Sequence, residues 1–223
     1  MGDFTERTPP LGLAELREDY RRGGLADEPY ETNPIALFGS WMKEAQAAHL
    51  KEPNAMTLST ATREGRPSGR IVLLKELTEN GFVFYTNYTS RKGQEIKTNP
   101  FASLTFYWGE LERQVRVEGR VEQVAREKSE AYFQTRPKGS RLGALASHQS
   151  ERLPSRRPLE SRLLELENEY ADTDHVPAPE WWGGYCVAPE AIEFWQGRTN
   201  RLHDRLLYRR KGEEEWAIER LSP

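Results

Sequence analysis

From Ala55 onward the chain reads as a train of short β segments punctuated by turn residues, and no other feature narrows the fold as much. Met56–Thr62, Gly69–Glu76, Gly81–Asn87, Ala102–Trp108 and Arg113–Val124 all read as strands, with Glu64-Gly65 and Asn80-Gly81 among the turns between them. Strands at such spacing without crossover helices predict an antiparallel sheet or a small barrel. Helical patterns follow at about 126–135, 140–147 and 158–171. The last predicted strands are Gly184–Val187, Ala191–Gln196, Leu202–Arg209 and Trp216–Arg220. One helix precedes the strands. Asn33 is its N-cap and Pro34 its first residue, and Ile35, Phe38, Trp41, Met42 and Ala45 recur at helical spacing to about Leu50. The expected fold is α+β, mainly antiparallel β, a barrel with peripheral helices.

A chain of 223 residues is long enough for one core, and a single domain is expected over 13–223. Residues 1–12 are expected to form a disordered tail. A short helical pattern from Leu13 to Arg22 sets Arg17 beside Tyr20 and ends at Gly23-Gly24, and on position alone it reads as a mobile arm. With 36% hydrophobic and 30% charged residues the chain reads as soluble and globular. A net charge of −3 argues against a general nucleic-acid or acidic-membrane binder, so an anion site must be a local concentration of Arg and Lys. Cys186 is the single cysteine, which excludes an intrachain disulfide, and the four histidines have no metal-ligand spacing, so no metal is expected. The N-terminus lacks the apolar stretch of a signal peptide, and Glu6 stands where a myristoylation motif wants Ser or Thr. No apolar run approaches the ~18 residues of a membrane span. A cytoplasmic protein is expected.

Several basic clusters could hold anions. Val83–Asn87 runs through Tyr88-Thr89-Ser90 into a short helix that begins near Arg91 and Lys92, where free backbone N–H groups and the helix dipole favour a phosphate. A capped surface helix with solvated bases fits the same residues. Arg70-Ile71-Val72-Leu73-Leu74-Lys75 is an apolar strand between two bases, and strict alternation places Arg70 and Lys75 on opposite faces unless the strand bends. Tyr132 and Arg136 share a helix face, Pro137 stops that helix, and Ser140 is read as the N-cap of the next, which outlines a second anion pocket. Gln114 and Gln149-Ser150 could read the edge of a heterocycle. Near the C-terminus, Ile192–Arg205 runs as a strand through Trp195 and past Gly197, after which Arg201, His203 and Arg205 alternate. If extended, those three share one face, suited to a planar anion or simply solvated.

Longer motifs go further. R-I-V-L-L-K (70–75), F-Y-T-N-Y-T-S-R-K-G (84–93), E-R-Q-V-R-V-E-G (112–119), Y-F-Q-T-R-P-K-G-S (132–140), S-H-Q-S (147–150), W-G-G-Y (182–185) and E-F-W-Q-G-R-T-N-R-L-H-D-R (193–205) resemble pyridoxine/pyridoxamine 5′-phosphate oxidases, in order, from about Leu16 to Pro223. The resemblance implies a split-barrel flavoprotein, a homodimer with FMN at the subunit interface. It implies oxidation of pyridoxine 5′-phosphate or pyridoxamine 5′-phosphate to pyridoxal 5′-phosphate, with O2 as acceptor, H2O2 released, and ammonia from the amine. Carried over by motif, the FMN contacts are Arg70, Ile71, Val72, Leu73, Leu74, Lys75, Tyr85, Thr86, Arg91, Lys92, Gln114, Gln149, Ser150, Trp195 and Arg205. The substrate phosphate falls to Lys75, Tyr132, Arg136 and Ser140. Arg201 and His203 lie over the pyridine ring as the catalytic pair, and Arg17 and Tyr20 belong to a mobile segment, 13–30, that covers the substrate. Glu52 stands where relatives often carry an acid.

The chain departs from the family pattern at Cys186, at Leu145 and at Ala26-Asp27-Glu28, where some relatives have arginines that would build a regulatory anion site. Two rival readings are a split-barrel flavin enzyme acting on a phenazine precursor and a non-catalytic carrier of FMN or pyridoxal phosphate. Tyr132, Arg136 and Ser140 weigh against the first, and the intact Arg201/His203 pair against the second.

Overall fold

The computed structural model describes residues 19–21, 23–25, 30–212 and 215–223. The expected tail, most of the segment 13–30 and Arg17 lie outside them. Residues 19–21 have no regular structure, so the helical pattern expected as far as Arg22 does not extend over them.

Helix α1 spans Pro34–Ala47. Asn33 Oδ1 accepts the free amides of Ile35 (2.9 Å) and Ala36 (3.3 Å), and Phe38, Trp41 and Ala45 are buried. It stops three residues short of Leu50 because His49 turns into the left-handed region (φ 55).

The described strands form one antiparallel sheet: β1 Ala55–Ala61, β2 Pro67–Leu73, β3 Glu76–Thr78, β4 Gly81–Asn87, β5 Phe101–Trp108, β6 Arg113–Gln123, β7 Trp182–Gln196, β8 Asp204–Arg210 and β9 Trp216–Arg220. The order is β2-β1-β5-β6-β7-β4-β3, with β8 on β7 and β9 on β8. Helices α2 (Arg91–Thr98), α3 (Arg126–Thr135), α4 (Lys138–Ala146) and α5 (Arg157–Glu169) lie outside the sheet order. One apolar cluster lies between α1 and the sheet around Phe38, Phe82, Phe106 and Phe194. A smaller one, around Phe133, Leu142, Leu166 and Trp182, joins α3, α4 and α5 to the start of β7.

Three expected boundaries move, each for a local reason. The strand expected over Gly69–Glu76 breaks after Leu73. Leu74 N–H bonds to Asn54 O and Lys75 N–H to Val83 O (2.8 Å each), so the chain leaves β1 and joins β4 at this point. The two strands expected at Gly184–Val187 and Ala191–Gln196 are one strand of 15 residues. Its register against β6 slips between Glu118 and Gly119, which face Ala191 and Pro189, so Glu190 is an extra residue. Before it Tyr185 and Val187 face the core, and after it Ile192 and Phe194 do, so the bulge moves the buried face from odd to even positions. Finally, β8 begins at Asp204 rather than Leu202. Thr199–Arg201 is a single 3-10 turn, with Asn200 (φ 57) and Arg201 (φ 60) both left-handed. Arg201 therefore does not alternate with His203 and Arg205 on a strand.

The β7 bulge rests on a close approach. A Cβ on Gly119 would meet Ala188 O at 2.0 Å. Gly119→Ala is expected to cost about 1–3 kcal/mol through forced displacement of that backbone, measured as the change in urea midpoint at unchanged m-value.

Candidate active site

The residues predicted from the sequence fall into two groups at opposite ends of β7. The first lines a cleft of about 970 Å³ bounded by β2, β4, α3, α4 and the start of α2. Arg70, Ile71, Val72, Leu73, Lys75, Tyr85, Thr86, Arg91, Lys92, Tyr132, Arg136, Ser140, Gln149 and Ser150 all face it. Leu74 does not; its side chain joins the core. The break after Leu73 lets Arg70 and Lys75 line one cavity despite their parity.

One end of the cleft is a cationic cradle at the start of α2. Ser90 caps the helix, its Oγ accepting the Gly93 amide (3.4 Å). The Arg91 amide donates to Ser150 Oγ (3.1 Å), and Ser150 is held in the left-handed region at φ 77. Lys92 is buried, and its Nζ donates to Gln149 Oε1 (2.7 Å), Thr86 Oγ1 (3.0 Å) and Ser90 Oγ (3.1 Å). All three acceptors are neutral. Burial, together with the nearby Arg70 charge, pulls the ammonium down to about 8.

Beneath it lies Glu95, a buried carboxylate absent from the sequence reading. Its Oε1 accepts Arg91 Nε (2.8 Å), and its Oε2 accepts Ser68 Oγ (2.6 Å) and the Thr60 hydroxyl. Burial alone would raise this carboxyl, but the bonds from Ser68, Thr60 and Arg91 outweigh it and bring it to about 2. Arg70 Nη1 donates to Leu58 O (3.0 Å) and Thr60 Oγ1 (2.6 Å), which fixes its guanidinium beside the carboxylate. The i,i+4 spacing of Arg91 and Glu95 is the signal that could have found it.

The other end is aromatic and basic. Tyr85 and Tyr132 stack at 3.9 Å and 15°, and Tyr85 and Trp182 at 5.5 Å and 12°. Arg136 lies over Trp182, 5.0 Å from the ring centroid. Its Nη1 is buried with no hydrogen-bond partner, and burial lowers the guanidinium from its ordinary value. A buried donor left unsatisfied costs about 1–3 kcal/mol, so this atom marks where an anion belongs. Ser140 also faces the cleft, but as a residue of the first turn of α4. Pro137 holds the N-cap position, so Ser140 is not the expected cap.

The second group surrounds the C-terminal end of β7. The Trp195 and His203 rings lie 4.7 Å apart, and Tyr20 meets both edge-on at 5.6 and 5.5 Å. Gln114 pairs with Trp195 across β6 and β7. Arg205 Nε donates to the buried Glu193 (2.8 Å), and Arg201 is exposed on its 3-10 turn. Tyr85 pairs with Gly184, so on the order of 35 Å of strand separates the cleft wall from Trp195. One chain does not bring the two groups together. Glu52 lies before β1 at φ 48 and is in neither.

Two family models match successive parts of the chain. A family model described as pyridoxamine 5′-phosphate oxidase matches residues 42–169, and one described as the pyridoxine 5′-phosphate oxidase C-terminal dimerisation region matches 182–223. A pyridoxine/pyridoxamine 5′-phosphate oxidase of Rubrobacter xylanophilus is 59% identical over 95% of this chain and 96% of its own. One of Cyanothece sp. is 54% identical over 96% of this chain and 99% of its own. The chain belongs to the pyridoxine/pyridoxamine 5′-phosphate oxidase family. Its fold is that of the FMN-binding split-barrel proteins. Among solved structures, PhzG from Burkholderia lata in complex with tetrahydrophenazine-1-carboxylic acid is 32% identical with a TM-score of 0.82, covering 90% of this chain and 100% of that one. An FMN-binding protein from Nostoc punctiforme related to pyridoxamine 5′-phosphate oxidase shares the fold, at 18% identity and a TM-score of 0.66 over 87% of this chain and 100% of its own.

Lys92 gives the cradle a pH dependence. An anion binds the charged ammonium, so the affinity for a phosphate anion is expected to fall by up to about tenfold per pH unit above about 8, with proton uptake on binding. Without an anion the sign reverses. The folded-state value lies below the ordinary lysine value, so the free protein gains stability as pH rises from about 8 toward about 10.4. Calorimetry in two buffers of different ionisation enthalpy measures the uptake; an affinity independent of pH across that range would remove Lys92 from the cradle.

Proposed function

We propose that the protein oxidises pyridoxine 5′-phosphate and pyridoxamine 5′-phosphate to pyridoxal 5′-phosphate with FMN as cofactor. O2 is the electron acceptor and H2O2 a product, with water consumed and ammonia released when the substrate is the amine. The observation that carries the reading is the pair of anion positions in one cleft. The α2 cradle suits the FMN phosphate, and the unsatisfied Arg136 guanidinium, with Lys75, Tyr132 and Ser140, suits a substrate phosphate. A cleft of about 970 Å³ is at the upper end for small-molecule sites, which fits two ring systems together. The strand Arg70–Leu73 and the side chains of Tyr85, Thr86, Gln149 and Ser150 fit around a flavin.

A homodimer completes the site. The match of residues 182–223 to a dimerisation region supports this, as does the separation of the two residue groups along β7. Gln114, Trp195 and Arg205 of one copy close over the flavin position of the other, and Arg201 and His203 over the pyridine position. Arg17 and Tyr20 cover the substrate from the N-terminal side; Arg17 lies outside the described residues.

FMN, when bound, supplies the two-electron redox chemistry. The protein's residues bind the two phosphates, hold the rings in register and keep water out, and that orientation is their contribution to rate. Arg201 orients the substrate and stabilises charge that develops on it, and His203 assists its position and proton balance. The place of action is the cytoplasm, in vitamin B6 metabolism. No helix among the described residues is long and apolar enough to cross a membrane.

The phenazine-precursor reading has PhzG as its support. A ring carboxylate would also satisfy Arg136, but the four donor residues Lys75, Tyr132, Arg136 and Ser140 around one anion favour the three terminal oxygens of a phosphate. Purified protein is expected to be yellow and to consume O2 with either phosphorylated vitamer; no turnover by FMN-loaded protein on both would sink the assignment. Arg136→Ala is expected to raise KM by about tenfold or more with FMN retained, from the loss of about 1.5–3 kcal/mol of charged hydrogen bonding. Arg201→Ala is expected to keep FMN and lose about 2 kcal/mol or more in kcat/KM. Steady-state kinetics beside flavin titration separates these effects.

A further inference from the structure

The β8 half-site holds a buried carboxylate that the proposed reaction does not use. Asp204 opens β8 between His203 and Arg205. Its Oδ2 accepts the Leu25 amide (2.9 Å) and Arg198 Nε, and its Oδ1 accepts Arg220 Nη1 (2.6 Å). Burial would raise the carboxyl, but the bonds from Arg198, Leu25 and Arg220 outweigh it and hold it below its ordinary value.

Arg198 is held at two points. Its side chain meets Asp204, and its backbone amide donates to His203 Nδ1 (3.1 Å). A ring nitrogen that accepts a hydrogen bond carries no proton, so the neutral imidazole has its proton on Nε2. Burial, with Arg201 nearby, lowers the His203 value and favours that neutral ring.

The N-terminal segment is built onto the same place. A Cβ on Gly24 would come within 1.9 Å of Arg198 Nη2, and one on Gly197 within 2.7 Å of the Tyr20 ring. Both glycines allow residues 19–21 and 23–25 to lie directly on 197–204. Tyr20 is thereby set edge-on against His203 and Trp195.

We propose that Asp204 is a positioning residue: through Arg198 it fixes the tautomer and orientation of His203, and through the Leu25 amide it docks residues 19–21 and 23–25 over that ring. The consequence for turnover rests on the proposed reaction, in which His203 faces the substrate. The latch itself is a property of the protein before substrate arrives.

The test uses the FMN-loaded full chain and two variants, Asp204→Asn and Arg198→Ala, the second cutting the link while leaving the carboxylate its bonds from Leu25 and Arg220. In wild type the His203 ring nitrogens, assigned by their loss in His203→Asn, should give two well-separated 15N shifts, one protonated and one not. In both variants those shifts should converge toward the average of exchanging tautomers. Exchange of the Leu25 amide should accelerate by about tenfold or more in Asp204→Asn. Efficiency on pyridoxine 5′-phosphate should fall by about tenfold or more while bound FMN is unchanged. Ring shifts unchanged in both variants, or activity that falls only in proportion to lost FMN, would overturn the assignment. Absence of turnover in wild type would instead sink the proposed reaction, leaving ring shifts and Leu25 exchange to judge the latch.

Discussion

Keeping the Lys92 ammonium out of water is the constraint on which the cleft depends. Three separate parts of the chain supply its partners: β4 brings Thr86, the α2 cap brings Ser90, and the segment after α4 brings Gln149. Each is a neutral oxygen, so the positive charge stays uncompensated where they meet. Glu95 is the only buried carboxylate described in this cluster, and its bonds go to Arg91, Thr60 and Ser68 instead. The result is a rigid set of cations with one countercharge already committed. Such a site favours a multiply charged anion because the desolvation cost was met when the chain folded.

Much of this was legible in the residues. Asn33-Pro34 fixed the start of α1, and the Asn80-Gly81 turn with the aromatic and β-branched run after it placed Gly81–Asn87 to the residue. The cradle could be read from Ser90-Arg91-Lys92 because helix starts bind anions through local backbone geometry. What escaped was the result of pairing between distant segments. Whether Arg70 and Lys75 share a face depends on the handover of hydrogen bonds from Asn54 to Val83, which no alternation rule contains. The face shared by Arg201, His203 and Arg205 failed for a related reason. Two left-handed residues, Asn200 and Arg201, replace the expected extended backbone. The division of roles along Ile192–Arg205 came from family resemblance. Asp204 and Arg198 left no sign, because buried charges look like surface charges in a sequence, and Glu95 left only its i,i+4 spacing from Arg91.

The two half-sites also differ in how they are held. The cleft is assembled from side chains on β2, β4, α2, α3 and α4, so its shape depends on tertiary packing. The C-terminal half-site is a short loop pinned by ion pairs, with Arg205 on Glu193 and Arg198 and Arg220 on Asp204. Arg116 also reaches Glu193, at 2.9 Å, so both buried carboxylates there are shared by two arginines.

The extra residue in β7 has a consequence for which lengths of chain evolution can keep. Removing Glu190 alone would turn Trp195 inward and Phe194 outward, since one residue inverts every side chain beyond it. Removing two would preserve the faces but shorten the spacing between the half-sites by about 7 Å. A change of length costs least off the sheet, as in the exposed stretch 151–156, whereas the count of β7 is a fixed measure between the two ends of the site.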